Sequence, residues 1–100
     1  MIIAIVKAKI ISGKQEELRT IADKLQYEYA PQEEGCEQYE SFIDGSTFIT
    51  LERWKNQNVL DKHLKTKHVE EFVPQMRNCV EGGEFSVQFI KTTDVSFVTL

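Results

Sequence analysis

A chain of 100 residues with 41% apolar content has the size of a single domain and leaves no room for a separate catalytic or regulatory module. Its net charge of −4 and pI near 5.2 argue against a nucleic-acid binder, which needs a basic face to meet phosphates. The apolar run Met1 to Val6 is too short to span a membrane and passes straight into Lys7-Ala8-Lys9, so a soluble, unexported, cytoplasmic protein is expected. Cys36 and Cys79 form no Cys-x-x-Cys pair, and reduced thiols are expected in preference to a disulfide or metal site. A domain this small buries only about two thirds of the surface that its unfolded chain exposes, so a homodimer covering a second apolar face would add stability.

Ile2, Ala4, Val6, Ala8 and Ile10 alternate with Ile3, Ile5, Lys7 and Lys9, the pattern of a strand covered on both faces. Ser12 and Gln15 have the spacing of a capping box, and Leu18, Ile21, Ala22, Leu25 and Tyr29 follow at helical intervals. A helix from about Gly13 to Ala30 is predicted, stopped by Pro31. A second strand, Cys36 to Ile43, turns through Asp44-Gly45 into a third, Thr47 to Trp54.

Asn56 or Asn58 caps a helix in which Leu60, His63 and Leu64 share a face, and Thr66 serves as a second cap where that helix bends and restarts. Val69, Phe72, Val73, Met76 and Val80 then form one apolar stripe, with Pro74 expected near the new N-terminus and Gly82-Gly83 closing the helix. Phe85, Val87 and Phe89 mark a fourth strand, and Val95 to Leu100 offer a short terminal one. The order β-α-β-β-α-β is that of a ferredoxin-like α+β sandwich, with helices on one face of an antiparallel sheet. Ile3 and Ile5 fall on the opposite face, which needs a cover.

Chemistry-bearing residues concentrate in two segments. Gly35-Cys36-Glu37-Gln38-Tyr39-Glu40-Ser41-Phe42 is the second strand, and Glu52 to Phe72 holds both histidines and the only tryptophan. Alternation puts Phe48, Thr50, Glu52 and Trp54 on one face of the third strand, and a glutamate among aromatic rings there is open to desolvation and proton exchange. The purely structural reading is a Glu52 paired with a basic side chain and a Trp54 that plugs the core. His63, beside Leu60 and Leu64, points toward the sheet, either as a general base or as a hydrogen-bonded core residue. His68 falls at the bend, at the mouth of a pocket or exposed. Five residues separate the two histidines, about 140° apart on a straight helix, so no metal site is predicted. Lys55, Lys62, Lys65 and Lys67 read as a solvated face that gives at most mild guidance to an anionic ligand. No phosphate-binding loop, nucleophile elbow or flavin signature is present.

These two segments resemble the antibiotic biosynthesis monooxygenase family of small α+β proteins, which includes cofactor-independent quinol oxygenases. The resemblance implies a dimeric α+β barrel, in which two ferredoxin-like sheets join and each protomer keeps a pocket between sheet and helices. It implies no cofactor, with dioxygen and a small electron-rich aromatic such as a hydroquinone or polyketide-like phenol as substrates. Carried onto this chain, it makes His63 and Glu52 the catalytic pair, His63 as base and Glu52 orienting it or sharing the proton. Tyr39 becomes a hydrogen-bond donor, Trp54 and Phe72 wall the ring, and His68 closes the mouth. Related barrels degrade haem, but with an asparagine on the first strand and a tryptophan on the second helix, neither of which this chain has. A non-catalytic ligand binder and a signal-molecule isomerase are rival functions open to such a fold.

Overall fold

The computed structural model describes residues 1–100. Strands β1 (Ile2–Lys9), β2 (Cys36–Asp44), β3 (Thr47–Trp54) and β4 (Ser86–Lys91) form one antiparallel sheet in the order β2-β3-β1-β4. Helices α1 (Gln15–Asp23), α2 (Gln57–Leu64) and α3 (Lys67–Arg77) cover one face. This is the expected ferredoxin-like α+β arrangement, with the second helix divided in two.

The core follows from the alternation in β1 and β3. Ala8 and Ile10 from one strand and Phe48 from the other meet Leu18, Ile21, Ala22 and Leu25 of the first helical segment and Phe72 and Met76 of α3. A smaller cluster of Ile2, Trp54 and Leu60 fills the end of the sheet below α2. No helix is long and apolar enough to cross a membrane.

Four local expectations need correction. Ser12 does not cap α1: Lys14 occupies the cap position without a side-chain bond, and Gln15 Oε1 accepts from the Gly13 N–H at 3.1 Å instead of from Ser12. The predicted single helix to Ala30 changes pitch at Lys24, running as a wider π-type turn over Lys24–Tyr29 and then tightening to a 3-10 turn over Ala30–Gln32. Proline has no N–H to donate, and Pro31 sits at the start of that last turn, where none is needed. Pro74 lies in the second half of α3, not near its start, and α3 ends at Arg77, so Val80 leaves the helical stripe and bridges Ile10. Val95 to Leu100 form no strand; Phe97 instead lies under the Arg53 guanidinium at 5.4 Å.

The caps predicted for the divided helix are present. Asn56 accepts from the Val59 N–H at 3.0 Å and Thr66 from the Val69 N–H at 3.3 Å. Each cap satisfies a donor that the first helical turn leaves free, so the chain ends one helix and starts another within two residues.

Two details of β2 position the site. Gly35, at φ +82°, packs against α2 so closely that a Cβ there would fall 2.5 Å from Val59 Cγ1. A bulge between Cys36 and Gln38 then adds one residue, so that Cys36 faces Trp54 while Tyr39 faces Glu52. Residues three apart on an unbroken strand point to opposite faces; the extra residue puts both on the helical side.

Candidate active site

The helical face of the sheet and the undersides of α2 and α3 enclose a cavity of about 370 Å³. Ala4, Val6, Phe48 and Phe89 make its floor, and Leu60, Leu64, Val69, Val73 and Met76 its roof. Its polar groups include Tyr39, Thr50, Glu52 and His63. The volume and the few convergent polar groups fit a small, flat, largely apolar ligand. Val87 and Phe89 on edge strand β4 are about half exposed, so the chamber opens on that side.

Glu52 is buried, and both its carboxylate oxygens accept hydrogen bonds from its own strand: Oε2 from Thr50 Oγ1 at 2.8 Å and Oε1 from Trp54 Nε1 at 3.0 Å. Burial raises its pKa above the usual carboxylate range, against the opposing pull of Thr50, His63 and Trp54. Tyr39 is held protonated by the same cause, burial first, with the negative charges of Glu52 and Glu33 adding to it. Tyr39 lines the cavity, where a protonated hydroxyl can donate to a ligand.

His63 sits on α2 with its ring 4.3 Å from that of Trp54 and 6.1 Å from that of Tyr39. The expected contact between His63 and Glu52 is replaced by one with Glu33, a residue that the sequence offers only as part of a link. His63 Nδ1 lies 2.9 and 3.0 Å from the two Glu33 oxygens. Burial pushes the Glu33 pKa up, but the hydrogen bonds and charge of His63, with the charge of His68 3.1 Å away, outweigh it and leave the carboxyl below its ordinary range. Ionised Glu33 can only accept, so Nδ1 carries the ring proton and Nε2 the lone pair. The irregular turns after α1 put Glu33 there, its N–H donating to Ala30 O at 3.1 Å.

Tyr39, Glu52 and His63 thus share one chamber, whereas Trp54, Phe72 and His68 do not line it. Trp54 is fully buried beneath the His63 ring, and Phe72 is buried in the main core. His68 stacks on Tyr29 with ring centres 4.6 Å apart. The two histidines do not diverge as a straight helix would require: the break at Thr66 turns α3 so that Glu33 stands between them. A ligand atom from each of the three lies within 4.8 Å of the others, the one arrangement suited to a metal ion. Lys55, Lys62, Lys65 and Lys67 are exposed. Both cysteines are free, and burial raises each thiol to about 11, so neither is a nucleophile at neutral pH.

The profile of the family described as "Antibiotic biosynthesis monooxygenase" matches residues 1–75. The Bacillus subtilis (strain 168) protein named "Putative monooxygenase YcnE" is 33% identical over 76 residues, covering 73% of this chain and 79% of its own. Among solved structures, Rv0793 of Mycobacterium tuberculosis superposes with a TM-score of 0.86 at 18% identity, over 96% of this chain and 98% of its own. A conserved protein of Methanosarcina mazei Go1 gives 0.85 at 24% identity, over 92% of each chain. At these identities the two structures show the common fold.

Proposed function

Because this chain belongs to the antibiotic biosynthesis monooxygenase family, we propose that it oxidises a small electron-rich aromatic, a hydroquinone or polyketide-like phenol, with dioxygen and without metal or flavin in the reaction. One observation carries the reading: His63, its Nδ1 proton held by Glu33, borders an apolar cavity that also holds Tyr39 and a buried Glu52.

His63 Nε2 takes the proton of a substrate hydroxyl, leaving an aryloxide in a site of low polarity. The aryloxide passes one electron to dioxygen, and the resulting radical pair combines at a ring carbon to give a peroxide. Loss of water leaves a hydroxyquinone from a hydroquinone, or a quinone from a phenol, so one oxygen atom enters the product, the other leaves as water, and the substrate supplies all the electrons. Tyr39 donates to the developing oxyanion. Glu52, its carboxylate oxygens engaged by Thr50 and Trp54, shares the chamber as a proton reservoir rather than as the partner that orients His63.

Oxygen uptake with a panel of hydroquinones, followed by product analysis, tests this. Stoichiometric uptake with a hydroxyquinone product supports it. Thermal shifts with the same compounds and no uptake would instead identify a binding protein.

A homodimer completes the reading. On the sheet face away from the helices, Ile3 pairs with Ile90, Ile5 with Leu51 and Phe42 with Ile49, an apolar surface with no cover in the single chain. Light scattering should give twice the mass of the 11.6 kDa chain, and Leu51→Glu, which sets a charge amid that face, should give the monomer. A wild-type mass equal to one chain would end the dimer proposal.

A further inference from the structure

We propose that Glu33, His63 and His68 form a three-ligand site for a divalent transition ion of the zinc class, seated behind the cavity wall at the junction of α2 and α3. Three elements supply the ligands: the link before β2, the last turn of α2 and the first turn of α3. His63 Nδ1 and Glu33 Oε1 are 2.9 Å apart, His68 Nε2 and Glu33 Oε2 are 3.1 Å apart, and no separation within the set exceeds 4.8 Å. A tetrahedral ion bound at about 2.0–2.1 Å needs its donors roughly 3.3 Å apart, so small side-chain movements suffice.

A second observation points the same way. His68 Nε2 is buried, makes no hydrogen bond, and lies 3.1 Å from Glu33 Oε2. A buried ring nitrogen that makes no hydrogen bond is costly, and a cation between it and the carboxylate removes the cost. Tyr29, stacked on the His68 ring, fixes its plane. Two imidazoles and one carboxylate suit zinc and its first-row neighbours, with the fourth position left to water.

The site stands independently of the proposed oxidation, but an effect on that reaction follows from it. A neutral imidazole has one lone pair. An ion on Nδ1 displaces the proton to Nε2, and His63 then has no lone pair to accept a substrate proton. If His63 is the base of that oxidation, the ion is therefore an inhibitor acting through the tautomer of the ring.

The test uses untagged, chelator-treated full-length protein titrated with Co²⁺, read by visible absorption, and with Zn²⁺, read by the unfolding temperature. The expected result is one equivalent bound with the spectrum of a low-coordinate nitrogen and oxygen site, and affinity reduced about 100-fold or more in His68→Ala and Glu33→Gln. His68→Gln, which keeps more of the packing against Tyr29, gives a folded second variant should the alanine fail. Absence of saturable binding, or undiminished binding in a folded His68 variant, overturns the site. Zn²⁺ that binds as described and reversibly stops turnover supports both site and base. Zn²⁺ that binds without affecting turnover keeps the site and removes His63 as base.

Discussion

His63→Ala lowers turnover of the hydroquinone substrate by about 100-fold or more, the usual loss when a general base is removed. The substitution deletes the ring that borders the cavity and leaves Glu33 without its closer imidazole partner. Glu33→Gln separates positioning from proton transfer. A glutamine can still accept from Nδ1 but lacks the charge, so turnover falls less than in His63→Ala, and the rising limb of the pH–rate profile moves. A simple loss of packing would lower kcat at every pH without moving the profile. Unchanged turnover in folded His63→Ala, measured by oxygen uptake at saturating substrate, would remove His63 from the chemistry.

The largest effect on stability belongs to Trp54→Ala, at about 3–5 kcal/mol, the range found when a large aromatic is deleted from a core. Trp54 has no exposed surface, packs with Ile2 and Leu60, and lies under the His63 ring. It also donates from Nε1 to Glu52, so the variant orphans a buried carboxylate oxygen as well as opening a void. Trp54→Phe isolates the second part, keeping most of the volume without the donor.

The sign of its pH dependence comes from Glu52. Burial raises the folded-state pKa of Glu52 above the unfolded value, so its protonated form favours the fold. That contribution is fully present below the unfolded pKa and is lost as pH rises through the folded one. Trp54→Phe removes a donor that favours the ionised form, which raises the folded pKa further and steepens the loss. Urea unfolding in acid and at pH 8 should therefore show Trp54→Phe falling behind the wild type more at pH 8. An equal gap at both values would mean that the indole N–H does not stabilise the Glu52 charge.

The parts of the fold legible in the sequence rest on local chemistry. Thr47–Trp54 shows its alternation and its Asp44-Gly45 turn, and the Asn56 and Thr66 caps mark where α2 and α3 begin. The convergence of Tyr39, Glu52 and His63 on one cavity follows from strand parity and helical phase, except for Tyr39, which also depends on a bulge that no residue announces. Glu33 is not legible as a site residue. It precedes a glycine by two positions in a stretch that reads as a link, and its partners lie 30 and more positions away, brought near by a change of helical pitch that leaves no signature in the spacing of Leu18, Ile21, Ala22 and Leu25. The metal geometry is hidden for a related reason: His63 and His68 would lie about 140° apart on a straight helix, and Thr66 breaks the helix between them.

The widened turn over Lys24–Tyr29 carries one residue more than an α-turn of the same sweep. Ala30 closes it by donating to Leu25 O, five residues back, where an α-helix would reach four. Deleting one residue there lets the turn relax to ordinary winding in place, whereas the same deletion in α1, which has no residue to spare, swings the downstream chain by about 100°. Tyr29 and Glu33 would turn away from both imidazoles in the second case and keep their direction in the first, so removal of exposed Glu28 disturbs the site less than removal of exposed Thr20.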